Sequence, residues 1–232
     1  MDIVQRKLLD ISGIIAVSTK NKQELVLNRV VTEEKVSVFP NAIDSGAFHL
    51  MDKNEVRKEL GIPEACFIVA FVGHYIHRKG PQRVAAAIKG LSNINSFFIG
   101  DGEEKPDCAG ILFTGRLPHD EIVKYLNAAD IFVLPTLAEG CCNAIVEAMA
   151  CGLPIVSSNL PFNDDILDDT NSIRIDPTNI DEIKSSIQLL RDDPVLRKRL
   201  ASGANKKAEM LRIENRARNI LEFMEERIGG AI

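Results

Sequence analysis

Residues 134–156 read LPTLAEGCCNAIVEAMACGLPIV, the stretch that most constrains the fold, because it sets a strand end, a loop, a helix and a second strand in succession. Residues 131–134 are a short apolar run. Residues 143–151 have helix-forming composition, with Asn143 as the expected cap and Gly152 and Pro154 as stops. Residues 153–156 return to buried-strand composition. This order is a βαβ unit, which requires a parallel sheet with helices on its faces.

In such sheets ligands sit beyond the carboxyl ends of the strands, where helix N-termini offer N–H groups to phosphate or sugar oxygens. The loop at 136–143 is predicted to face that crevice, with Glu139 before the helix and Glu147 about one turn inside it. This spacing does not suit a glycosidase acid/base pair, whose carboxylates face each other roughly 5–9.5 Å apart. By spacing alone two readings stay open. The glutamates are a residue near a helix start and a solvated helix residue, or they are two hydroxyl clamps along one elongated ligand.

The rest of the chain repeats the alternation. Strands are predicted at 11–17, 36–39, 67–72, 96–99, 111–114 and 173–175, and helices at 19–28, 56–60, 81–91 and 119–128. Asn179 is placed to cap a helix with Asp181 and Glu182 in its first turn, and Ile180, Ile183, Ile187 and Leu190 form its core-facing stripe. Pro194 starts another helix, and Ile213, Ala217, Ile220, Leu221 and Met224 outline the apolar face of a terminal one. The fold class is therefore α/β, a doubly wound parallel sheet. The last residues, Gly-Gly-Ala-Ile, read as a frayed end.

Composition excludes several classes of function. With 28 basic and 33 acidic residues, a net charge of −5 and no basic tract, nucleic acid is not an expected partner. No apolar run reaches membrane-spanning length, and residues 1–10 lack the apolar core of a signal peptide, so a cytoplasmic protein is expected. Five cysteines, two of them adjacent and none in CxxC spacing, predict neither a disulfide framework nor a zinc site. Cys66 and Cys151 read as packing residues, and Cys141 and Cys142 as free thiols lining the proposed loop.

FVGHYIHRKG at 71–80 follows a strand and precedes a helix. Gly73 there allows close backbone approach and Lys79 supplies a positive charge. FFIGDG at 97–102 reads as a strand ending in a tight turn.

These motifs, with VFPNAID at 38–44, AADIFVLPT at 128–136 and the Glu139–Glu147 segment, follow one another over nearly all of residues 35–175. In that order they resemble the retaining glycosyltransferases of family 4. The resemblance implies a Rossmann-like sheet forming the second half of a two-domain GT-B architecture. Residues 1–40 would be a remnant of the N-terminal acceptor-side domain and the interdomain crossing, 41–210 the donor-binding domain, and 211–232 a helix packing back toward the first domain.

It also implies roles. The donor substrate would be a nucleoside-diphosphate sugar, with no cofactor and no metal. Lys79 would contact the diphosphate and Glu139 the hydroxyls of the transferred sugar, the two groups closest to the chemistry. Glu147 would hold the ribose, Gly115 and Leu117 would shape the base pocket, and the backbone from Gly140 through Cys141 and Cys142 to Asn143 would offer N–H groups to the donor. Two positions depart from the family pattern. His74 stands where the family has an arginine beside Gly73, and Cys142 where relatives often have glycine.

The partners implied are the nucleotide sugar, a glycan, lipid-linked or small-molecule acceptor, and the missing N-terminal domain. The full-length parent would transfer a sugar with retention, with peripheral contact at the inner membrane open to it. The isolated chain is expected to be inactive. The alternatives are another GT-B enzyme, an epimerase or phosphorylase, or a non-enzymatic nucleotide-binding module.

Overall fold

The computed structural model describes residues 11–229 of the chain. The expectations for residues 1–10 and 230–232 lie outside these. The larger sheet has six parallel strands: β3 (Phe67–Val72), β4 (Ile94–Ile99), β5 (Ile111–Gly115), β6 (Ile131–Leu134), β7 (Ile155–Ser158) and β8 (Ser172–Ile175). Their spatial order is β5-β4-β3-β6-β7-β8, so the chain reverses direction across the sheet between β3 and β6. This is a doubly wound Rossmann-like sheet, consistent with one half of a GT-B fold. A second sheet pairs β1 (Ile14–Ala16) with β2 (Val36–Val38), also in parallel.

The central strands are apolar along their whole length because helices cover both faces. Every residue of β6 is buried, and Phe71, Phe97, Phe98 and Phe132 are among the largest fully buried side chains. The helices are α1 (Thr19–Leu27), α2 (Lys53–Glu59), α3 (Pro81–Ile88), α4 (His119–Ala128), α5 (Asn143–Ala150), α6 (Ile180–Asp192), α7 (Pro194–Met210) and α8 (Ile213–Gly229). Asn179 caps α6 by accepting from the amides of Asp181 and Glu182, and Pro194 opens α7, both as predicted. At the foot of β6, Asp130 accepts from the amide of Ile68 and pairs with the buried Arg57 at 2.8 Å, fixing β3 to β6 where they begin.

Two expectations are corrected. Asn143 does not cap α5. Cys142 has the extended cap dihedrals, and Asn143 is the first helical residue, its side chain accepting instead from the Asn41 amide nitrogen. Ile180 is 40% exposed, because the stripe of α6 meets the sheet only from Ile183 onward. On α8 part of the apolar face outlined by the sequence is exposed, with Leu221 59% and Met224 46% accessible. The anchor is Phe223, whose ring stands edge-on to Phe39 with centroids 5.8 Å apart.

Candidate functional site

The switch point between β3 and β6 lies between the loops that follow those strands, where an open α/β sheet places its ligand. Backbone and side chains bind the loops together. The Leu137 amide donates to the Arg78 carbonyl at 2.8 Å, and Arg78 Nη1 donates to the Ala138 carbonyl at 2.5 Å. Arg83, on α3, donates from its terminal nitrogens to the carbonyls of His77 and Pro135, both at 2.8 Å. Its guanidinium lies so close to Gly80 that a Cβ there would fall 2.4 Å from Nη2, and Gly80 takes a left-handed conformation at φ 76°.

This bracing brings two of the predicted residues together. Lys79 Nζ lies 2.5 Å from Glu139 Oε1, with both side chains about nine-tenths buried. The same carboxylate oxygen accepts from Thr136 Oγ1 at 2.8 Å and from Arg78 Nη1 at 3.2 Å. The Cys142 sulfur is 3.8 Å from the Lys79 ammonium. Burial pushes the Cys142 thiol up although Lys79 opposes it, and burial takes Cys141 to about 11. Both are therefore neutral thiols at pH 7 rather than nucleophiles.

Cys142 makes no side-chain capping bond, so no oxygen competes with an incoming anion at the start of α5. Cys141 is turned toward Asn41, whose amide meets its sulfur at 3.3 Å. A Cβ on Gly140 would stand 3.1 Å from Val17, so the loop passes against the smaller sheet. Thr19 reinforces this junction with two bonds to the Asp165 carboxylate, at 2.7 and 2.6 Å.

Glu147 is only 9% exposed, which excludes a solvated helix residue. Its Oε1 is 3.1 Å from His119 Nε2, and the His119 ring stands edge-on to Phe48 at 4.9 Å. On the other flank of the β3 loop, Gly73, His74, Gly100, Asp101, Arg116 and Leu117 border a depression of about 300 Å³ floored by Val72, Ile99 and Ile122. Gly115 ends β5 beside it, its amide 3.3 Å from the Tyr75 hydroxyl. A Cβ on Gly100 would meet the Gly73 carbonyl at 1.9 Å, so glycine is required there for the two loops to touch.

The predicted residues thus divide into a charged crest (Lys79, Glu139, Cys142), a flanking depression (Gly73, His74, Gly115, Leu117) and the buried Glu147. Gly140, Cys141 and Asn143 face the smaller sheet and its connection. Sequence reasoning missed Arg83 and His119 and gave Arg78 no settled role. The partners that bring them to the site, Pro135 for Arg83, Ala138 for Arg78 and Glu147 for His119, lie tens of residues away, and no local pattern marks them. Among the described residues no group of three His, Cys, Asp or Glu side chains is placed to hold a metal ion.

Residues 52–207 match the family model described as Glycosyl transferases group 1. A glycosyltransferase assigned to teichuronic acid biosynthesis in Bacillus subtilis is 32% identical over 154 residues, covering 64% of this chain and 39% of its own length. The Escherichia coli UDP-Gal:alpha-D-GlcNAc-diphosphoundecaprenol alpha-1,3-galactosyltransferase is 29% identical over 203 residues, 79% of this chain and 52% of that protein. The chain thus spans at most about half the length of these curated relatives. Among solved structures, sucrose-phosphate synthase from Thermosynechococcus elongatus superposes with a TM-score of 0.83 at 20% identity, covering 97% of this chain and 61% of that one. Anabaena HepE in complex with UDP also superposes at 0.83, at 18% identity, covering 96% of this chain and 66% of that one. At these identities the structural likeness establishes the fold.

Proposed function

The chain belongs to the glycosyl transferases group 1 family, and on that premise we propose that it is the donor-binding half of a retaining GT-B glycosyltransferase. Its ligand is a nucleoside-diphosphate sugar. The carrying observation is the Lys79–Glu139 pair at the switch point, which sets a cation for the diphosphate beside an acceptor for sugar hydroxyls. Anabaena HepE, which shares the fold, has been solved with UDP and with UDP-glucose.

In this reading the base lies in the depression beside Leu117 and Gly115, the ribose hydroxyls reach Glu147, and the diphosphate lies between Lys79 and the start of α5. Bond breaking at the anomeric carbon leaves negative charge on the diphosphate. Lys79 and the loop amides stabilise that charge more as it grows, which is the differential binding that accelerates a reaction. Glu139 holds the sugar so that an acceptor hydroxyl attacks with retention.

Residues 1–40 and 211–232 flank the donor domain at 41–210 and connect it to an acceptor-side domain of the full-length parent. On this reading the parent is a cytoplasmic enzyme whose acceptor is a glycan, a lipid-linked molecule or a small molecule, with peripheral contact at the inner membrane open to it. No helix among the described residues is long and apolar enough to cross a membrane. The test compares this chain with a two-domain parent on a panel of nucleotide sugars and acceptors, reading product mass. Transfer by the parent alone is the expected result, because positioning catalysis needs donor and acceptor held together. Comparable product from the isolated chain would overturn the division of labour.

A further inference from the structure

The crest is short of positive charge for a diphosphate. Lys79 and Arg78 both spend their charge on the Glu139 carboxylate, so the three groups together carry one net positive charge. A second cation stands on the other side of Gly73. Lys79 runs past that glycine with its Cδ 3.7 Å from where a Cβ would be, and Gly73 also borders the depression whose rim carries Arg116. Arg116 Nε lies 2.7 Å from Asp101 Oδ2, and His74 Nδ1 lies 3.9 Å from Oδ1 of the same carboxylate. The Arg116 side chain is 73% exposed, and its terminal nitrogens have no hydrogen-bond partner among the described residues.

We propose that Arg116 is a second donor-binding cation, and that Asp101 is the residue that positions it. This rests on the donor-site reading above. Asp101 holds the guanidinium at Nε, which leaves the Nη pair as a fork able to take two phosphate oxygens. An exposed ion pair of this kind contributes little on its own, so the guanidinium can turn from one carboxylate to a more highly charged diphosphate. His74, on the other flank of Asp101, is a ring without a permanent charge and cannot supply that fork. The two loops after β4 and β5 thereby take part in diphosphate binding as well as in shaping the base pocket.

Calorimetry on the whole chain tests this, with UDP, GDP and ADP as probes, each beside its nucleoside. Lys79→Met reports on the donor site. Arg116→Gln is expected to weaken the preferred diphosphate by about tenfold or more while moving the nucleoside less than about twofold. Adding His74→Arg to Arg116→Gln places a guanidinium on the other flank of Asp101 and is expected to recover most of the loss. Equal losses for diphosphate and nucleoside would assign Arg116 to the base and overturn the inference. Unchanged diphosphate affinity in Arg116→Gln, with a loss in Lys79→Met, would overturn it while leaving the donor site standing. A wild-type chain that binds none of the three diphosphates would bring down both.

Discussion

Lys79 Nζ lies 2.5 Å from Glu139 Oε1 across the gap between β3 and β6, joining two residues 60 positions apart in the sequence at the point where the sheet reverses. Neither loop alone forms a site. The sheet order makes the pair, and Arg78 and Arg83 hold it closed.

Lys79→Met is expected to reduce affinity for a nucleoside diphosphate by about tenfold or more and for the matching nucleoside much less, because the lost ammonium is the one proposed to meet phosphate. Calorimetry with both ligands reads this. Equal losses would point to a misplaced loop or base pocket instead.

For Glu147→Gln, weaker nucleotide binding is expected with little change in melting temperature. Glutamine keeps the shape of the buried side chain and can still bond His119, 3.1 Å away, but it lacks the charge that strengthens bonds to ribose hydroxyls. Circular dichroism and calorimetry separate the effects, and a large fall in melting temperature without a binding change would make Glu147 a structural residue only.

The fold was legible wherever one strand or helix carried its own signal. The strands at 67–72 and 131–134 and the helix at 119–128 match the structure end to end. β4 starts two residues earlier than expected because Ile94 and Asn95 pair with Phe67 and Ile68, and a polar asparagine hid that extension. The apolar face of α8 was visible by periodicity, but which residue finds a neighbour depends on Phe39, far away in sequence. Lys79, Glu139 and Glu147 stood out through ordered motifs. Arg83 and His119 did not, since an arginine on an amphipathic helix and a histidine after a proline look like surface residues until the loops meet.

Arg83→Met should loosen the crest without removing any proposed ligand contact. Two charge-assisted bonds to carbonyls are lost, a cost on the order of 1–3 kcal/mol. Denaturant unfolding should show this loss, and diphosphate affinity should fall with it. Wild-type affinity in this variant would show that the loops stay closed without the bracket.

Burial pushes the Cys151 thiol from its ordinary value to about 12. A thiol raised on folding contributes stability that is complete below its unfolded pKa, near 9, and is lost as pH climbs toward 12, because the unfolded chain ionises first. Cys151→Ala is expected to lower stability at pH 7 by emptying packed space, yet to show a shallower decline between pH 9 and 11 than the wild type. Parallel declines in the two proteins would mean that Cys151 does not ionise on unfolding in this range.

The central claim is that a nucleotide sugar lies across the switch point with its diphosphate between Lys79 and the start of α5. Amide NMR of the labelled chain titrated with UDP, GDP and ADP, and with the glucose conjugate of the one that binds, tests it most directly. The account predicts shifts concentrated in residues 73–80, 115–117 and 139–147, with the sugar adding to those around Glu139. Shifts confined to the amino ends of the strands or to the smaller sheet, or none with any of the three nucleotides, would contradict it.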